Sequence, residues 1–384
     1  MILPRRLSRY LERLRKAFPV LSITGPRQAG KTTLLRNHFS DYRYVNFELP
    51  RLRKSFAEDP EGFLREYNDQ VIFDEAQHVP DLFSYLQVMV DEDRRPGRFV
   101  LSGSQDFLLR KSINQSLAGR VGIARLLPLD LTELRAAGRL VNDQLDTCFE
   151  GFYPGHLEGE TDSDLFYGSY MYSYVQRDVS GLIDTANLQL FNRLLEALAG
   201  SVGQLTNYSN LATLVGVNVK TIQAWISILE QSYLVFRLPP YFKSVSRRLV
   251  KSPKLYFYDT GLLCYLLGLR ASSELRNFHL YGNIFENMIV ADAMKSTFHN
   301  GERPTFHFFR DSNGREIDLV NDYPIKAVVW EIKGTETFHP RLIRPLNKLA
   351  DQLFPTAERR LIYAGPDSMR LNEVQQVPWN EVVW

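Results

Sequence analysis

Hydrophobic positions at the start of the chain recur with helical spacing. In MILPRRLSRYLERLRKAF, Leu7, Leu11, Leu14 and Phe18 fall three or four apart among six basic residues and one acid, which predicts an amphipathic helix. The pattern then changes. Ala17 to Ile23 is a short apolar run expected to be a strand, and the polar, glycine-bearing GPRQAGKTTLLR that follows returns to helical spacing at its end. Val71, Ile72 and Phe73, inside QVIFDEAQHVP, predict a strand buried on both faces of a parallel sheet, and RFVLSGSQD, Arg98 to Asp106, predicts another. Beyond residue 185, LQLFNRLLEALAGS reads as a helix, and NYSNLATLVGVNVKTIQAWISILEQSYLVFRL as helix, turn around Gly216, helix from Val219 to Glu230, and strand. GNIFENMIVADAM, Gly282 to Met294, predicts an amphipathic helix bearing Glu286, and Thr305 to Arg310 a strand. REIDLVNDYPIKAVVWEIKG, Arg315 to Gly334, predicts two strands around a turn. Strands alternating with helices make the expected fold class α/β.

Composition narrows the class of protein. The chain has 384 residues, enough for two or three domains, and its 44% hydrophobic and 23% charged residues are those of a soluble globular protein. The longest apolar run, LLCYLLGL at Leu262 to Leu269, is far short of the roughly 18 residues a membrane span needs, and the N-terminus lacks a secretory apolar segment. No membrane partner is expected. Cys148 and Cys264 are the only cysteines, so neither a disulfide framework nor a cysteine zinc site is indicated, and a cytoplasmic location is expected. Net charge is only +2, so any nucleic-acid surface has to be a local patch. Residues 140 to 176 hold seven acids and no Lys or Arg, whereas KSVSRRLVKSPK, Lys243 to Lys254, holds five bases and no acid.

Chemistry enters at Gly25 to Arg36. The spacing GxxxxGKT, with Gly25, Gly30, Lys31 and Thr32, between a strand and a helix, is that of a phosphate-binding loop. The loop of Gly25, Pro26, Arg27, Gln28, Ala29, Gly30, Lys31, Thr32 and Thr33 is expected to wrap the phosphates of ATP with its backbone N–H groups, with Lys31 on the β and γ phosphates and the Thr32 hydroxyl on Mg²⁺. Asp74, ending the buried strand, is expected to hold the Mg²⁺ shell, and Glu75 to orient the attacking water. Ser104 falls where a γ-phosphate sensor belongs, with Ser102 the alternative.

The succession GPRQAGKTT, IFDEAQ, LSGSQD, SLAGRV and LLPLDLTEL resembles the AAA-type P-loop ATPases that carry a C-terminal DUF4143 domain. The likeness continues through FYGSYMYSYVQRDV (166 to 179) and KSPKLYFYDTGLLCYLLG (251 to 268), and so covers nearly the whole chain. It implies an oligomeric ring, with a hexamer favoured, in which Arg120 of one subunit completes the neighbour's site. Arg177 or Asp178, after Tyr170 and Tyr174, is a weaker candidate for a subunit boundary.

Two further sites are expected in the second half. The helix pair around Gly216 has the layout of a winged helix-turn-helix, with Lys220 and Gln223 facing DNA and Lys243, Arg247, Arg248 and Lys251 forming a phosphate-contacting wing. Helix Glu286, strand Asp318, then Glu331 and Lys333 resemble the PD-(D/E)xK nuclease core. That resemblance implies that Glu286, Asp318 and Glu331 hold Mg²⁺ and that Lys333 stabilises or activates the nucleophile. The alternative is an ion-paired remnant of that fold.

The expected domains are 1–135 (AAA-type ATPase), 136–185 (acidic connector and Tyr-rich helix), 186–250 (winged helix) and 251–384 (nuclease-like α/β). The expected function is an ATP-hydrolysing machine acting on duplex or branched DNA. An ATP-gated oligomeric switch without DNA and an ATP-regulated metal-dependent nuclease are the alternatives.

Overall fold

The computed structural model describes residues 3–103, 116–141, 143–159, 161–174, 179, 182–242, 252–322 and 326–384. The chain divides into two compact units. The first comprises Met1–Leu129, Gln231–Tyr233 and Thr297–Glu302, and the second Asp130–Glu230, Leu234–Ser296 and Arg303–Trp384.

The first unit is built on strands β1 (Val20–Thr24), β2 (Arg43–Asn46), β3 (Val71–Asp74), β4 (Phe99–Gly103) and β5 (Val121–Arg125), in the order β2-β3-β4-β1-β5. Every neighbouring pair is parallel. The sheet is covered on both faces, which is why β1, β3 and β4 are buried at every position and are apolar but for Ser22, Thr24, Asp74 and Ser102. Alternate residues of β3 serve opposite cores: Val71 and Phe73 pack with Phe47, Phe56 and Phe83, while Ile72 packs with Leu35 and the N-terminal helix. That helix, Leu7–Ala17, buries Leu7, Leu11 and Leu14, and truncating any of them to alanine should cost about 2–5 kcal/mol. Gly25 and Glu75 directly follow β1 and β3, so both leave the sheet at its carboxyl edge, where ligands of open parallel sheets bind.

In the second unit a helix pair, Tyr208–Val215 and Val219–Gln231, is followed by an antiparallel pair of strands, β6 (Val235–Leu238) and β7 (Lys254–Phe257). A six-stranded sheet completes it, with strands β8 (Phe306–Arg310), β9 (Glu316–Asn321), β10 (Val328–Lys333), β11 (Glu358–Tyr363), β12 (Arg370–Leu371) and β13 (Val374–Pro378). Its order is β12-β13-β11-β10-β9-β8; β8, β9 and β10 form an antiparallel meander, and β10, β11 and β13 run parallel. The residues after β6 join the edge of this sheet, where Tyr241 N–H donates to the Phe308 carbonyl at 2.6 Å.

One expectation is overturned. The helix predicted as amphipathic over Gly282 to Met294 is Tyr281–His299, buried nearly all round, including Asn287, Asp292 and Lys295. Its polar residues face partners instead of water. Asn287 pairs with both the N–H and the C=O of Phe257 (2.7 and 3.0 Å), and Asp292 accepts from Leu131 N–H (2.6 Å) and Trp384 Nε1 (2.7 Å). Internal hydrogen bonds let these groups be buried at little cost, so their polarity does not mark a solvent face.

Candidate nucleotide site

The turn after β1 is held by local geometry. Gly30 has φ 88° and caps the helix Lys31–His38, a conformation in which a side chain is strained. At Gly25 an added Cβ would lie 1.9 Å from the Leu126 carbonyl oxygen, so only glycine lets the loop pass so close to the chain after β5. Arg5 braces the loop, donating to the carbonyls of Ala29 and Leu127, each at 2.6 Å. Lys31 is buried, and its ammonium folds back onto the carbonyls of Gly25 and Pro26, both at 2.8 Å. Gln28, Thr32 and Thr33 are exposed, Arg27 is half-buried, and Pro26 and Ala29 are buried.

Asp74 is the convergence point. Its Oδ2 accepts from the Thr32 hydroxyl at 2.8 Å and from the Tyr44 hydroxyl at 2.5 Å; its Oδ1 accepts from Ser102 Oγ and from Glu75 N–H. Burial and the bond to Asp74 raise the Tyr44 phenol above its usual range, which keeps it a proton donor. Thr32 and Asp74, the hydroxyl and carboxylate expected around Mg²⁺, are therefore already in contact. Glu75 has φ 53°, unusual for a residue with a side chain, and its Oε2 accepts from the buried Gln77 amide.

Arg120 is engaged elsewhere. Its guanidinium makes a two-pronged pair with Asp91, Nε to Oδ1 at 2.7 Å and Nη2 to Oδ2 at 2.8 Å. Ser104 lies outside the described residues, as do Arg177, Asp178, Lys243, Arg247, Arg248 and Lys251. Ser102 is described, and its hydroxyl is spent on Asp74. Tyr44 and Arg5 were missed because their contacts depend on sheet register and on the path of the N-terminal segment. No spacing in the sequence reports either.

In the second unit the helices Tyr208–Val215 and Val219–Gln231 meet at 99°. Gly216 makes the turn with φ 87°, and Ile222, Trp225, Ile226 and Leu229 are buried while Lys220 and Gln223 are exposed. Asp318, Glu331 and Lys333 come together one step beyond the Trp330↔Leu319 pair of β9 and β10. Lys333 Nζ reaches Asp318 Oδ2 at 3.1 Å and Glu331 Oε1 at 2.7 Å, and Asp318 Oδ2 also accepts from Ile332 N–H. Burial, with Asp318 adjacent, pushes the Glu331 carboxyl up to about 8 against the pull of Lys333. Burial disfavours charge on Lys333, yet the two carboxylates hold it above the ordinary lysine range. Glu286 joins this cluster together with Glu316 and Lys254, neither of which was singled out from the sequence as a site residue.

A five-stranded parallel sheet with this loop at its carboxyl edge defines a P-loop ATPase domain. The sequence matches the family model of the AAA domain over residues 17–135, a domain of unknown function (DUF8612) over 142–273 and a domain of unknown function (DUF4143) over 281–382. An AAA domain followed by a DUF4143 domain is the pair that the sequence resemblance implied. Among relatives, an uncharacterized protein of Mycobacterium tuberculosis is 29% identical over 378 residues, spanning 97% of this chain and 83% of that one. An uncharacterized protein of Haemophilus influenzae is 24% identical over 310 residues, spanning 71% of this chain and 74% of that one. Similar solved structures include the Walker-type ATPase PABY2304 of Pyrococcus abyssi, with TM-score 0.42 and 17% identity over 69% of this chain and 96% of that one. Another is RuvB of Thermotoga maritima, with TM-score 0.30 and 20% identity over 61% of this chain and 88% of that one. Among the described residues no single helix is long and apolar enough to cross a membrane.

Proposed function

We propose that the chain hydrolyses ATP and uses the cycle to act on duplex or branched DNA as a homo-oligomer, with a hexameric ring favoured. The observation that carries the ATPase part is the Thr32 to Asp74 contact of 2.8 Å beside the loop that ends in Lys31. In this reading the N–H groups of the loop Gly25 to Thr33, other than Pro26, which has none, and the Lys31 ammonium take the phosphates. Thr32 and Asp74 would hold the Mg²⁺ that accompanies ATP and offsets phosphate charge. Glu75 orients and polarises the water, while Tyr44 and Ser102 fix the Asp74 carboxylate. Ser104 would sense the γ-phosphate; Ser102, the alternative, would first have to release Asp74.

Arg120 is assigned to the neighbouring subunit's site, which requires its pair with Asp91 to open. An exposed, solvent-screened pair of this kind contributes little, so opening it is cheap relative to what a transition-state contact returns. Mixing Arg120→Ala subunits with Glu75→Gln subunits should restore part of the hydrolysis each lacks alone, because some interfaces then pair an intact Glu75 with an intact Arg120. Unchanged turnover of assembled Arg120→Ala would remove the assignment.

The DNA part rests on the helix pair. Two helices meeting at about 90–120° with polar residues exposed at the start of the second suit a major groove. Replacing Lys243, Arg247, Arg248 and Lys251 together should weaken duplex binding for every sequence and flatten its salt dependence by about 0.9 in log–log slope per lost phosphate contact. Replacing Lys220 or Gln223 should do less. A quadruple variant that binds duplex with the parent's affinity and slope would move the DNA surface elsewhere, or leave the ATP-gated switch as the better reading.

A further inference from the structure

The acidic cluster of the second unit offers the oxygen donors a divalent ion needs, together with a contact such an ion does not tolerate. One carboxylate oxygen from each of Glu286, Glu316 and Asp318 lies within 4.8 Å of the others, which suits a hard cation with oxygen ligands. The space among them is taken by the chain itself. Lys254 opens β7, and its ammonium donates to Glu286 Oε1 at 2.9 Å and is ion-paired with Glu316 Oε1. The Phe308 ring closes over the ammonium at 5.6 Å, and the Lys254 side chain is only 3% exposed. An ion bridging Glu286 and Glu316 would stand where this ammonium stands.

Charge leads to the same result. Glu286 has Lys254 as its cation, Glu316 has Lys254 and Arg310 (3.2 Å), and Asp318 has Lys333 (3.1 Å). A divalent ion would therefore enter a cluster whose carboxylates are already paired, next to a buried ammonium that has no route to water in place. Stripping that ammonium of its carboxylates without rehydrating it would carry the large penalty of an uncompensated buried charge. The carboxylates that converge are Glu286, Glu316 and Asp318, not the set Glu286, Asp318 and Glu331 expected from the sequence, and Lys254 holds two of the three.

We infer that Lys254 is the resident cation of this cluster, standing in the place of a divalent ion, fastening β7 to the helix Tyr281–His299 and to β9, and leaving the intact protein without metal-dependent phosphodiester cleavage here. Mn²⁺ titration of the nucleotide-free full chain, followed by the electron paramagnetic resonance of free Mn²⁺, tests this. The parent and Asp318→Asn should bind Mn²⁺ identically, since any ion at Thr32 and Asp74 is common to both. Lys254→Met should gain one Mn²⁺ per chain, Lys254→Met with Asp318→Asn should lose it again, and Lys254→Arg should behave as the parent. The melting temperature of Lys254→Met should rise with Mn²⁺ by more than the parent's does. A parent that binds Mn²⁺ in a way abolished by Asp318→Asn would overturn the inference, as would a folded Lys254→Met that gains none. If Lys254→Met does not fold, the parent and Asp318→Asn comparison decides alone.

Discussion

Glu75→Gln is expected to keep ATP affinity close to the parent's and to lose turnover by roughly 10²–10⁴-fold, the range for removing a positioned base. The substitution preserves shape and one acceptor oxygen but removes the charge that polarises the water, so the loss falls on the transition state and leaves the ground state intact. Glu75 leaves β3 in a left-handed conformation with its carboxylate held by Gln77. Such a site stores strain of order 1–3 kcal/mol, which persists because the surrounding structure fixes the turn. Steady-state hydrolysis together with nucleotide titration separates the two effects. Parent-like turnover in Glu75→Gln would show that another group handles the water.

Lys31→Ala should instead remove binding. The ammonium is buried against two loop carbonyls at 2.8 Å and is the one charged side chain that the loop motif directs at the phosphates. Charge-assisted hydrogen bonds contribute about 1.5–3 kcal/mol each, so losing one or two should weaken ATP by roughly 10- to 1,000-fold or more. The variant should still fold, because alanine is a strong helix former at the start of the helix Lys31–His38. Calorimetric titration with a non-hydrolysable ATP analogue checks it. Unaltered affinity in a folded Lys31→Ala protein would place the phosphates elsewhere.

What was legible in the sequence was contiguous chemistry and uniform burial. The loop after β1 could be read because Gly25, Gly30, Lys31 and Thr32 stand in one short segment. β3 could be read because Val71, Ile72 and Phe73, covered on both faces, form a continuous apolar run up to Asp74. The placement of Asp318 beside Glu331 and Lys333 followed from strand alternation and a turn of the right length. The features that were not legible come from residues far apart in the chain. Tyr44 reaches Asp74 only because β2 lies beside β3 in parallel register, with Asn46 opposite Asp74. Lys254 and Glu316 meet Glu286 through a strand, a second strand and a helix, none of which announces the others. The helix Tyr281–His299 was misread for a related reason: Asp292 and Asn287 look like solvent-facing positions until their partners Leu131, Trp384 and Phe257 are in place. Local periodicity reports exposure only where polar groups have no internal partner.

The central claim, an ATP cycle coupled to DNA, is tested most directly by ATP turnover of the full chain at fixed low salt, with and without duplex DNA, beside Lys31→Ala under the same conditions. The account predicts Mg²⁺-dependent hydrolysis by the parent that rises on adding duplex, and none above background for Lys31→Ala in either case. Parent turnover no greater than that of Lys31→Ala would contradict the ATPase assignment, and parent turnover indifferent to every duplex or branched DNA offered would contradict the coupling.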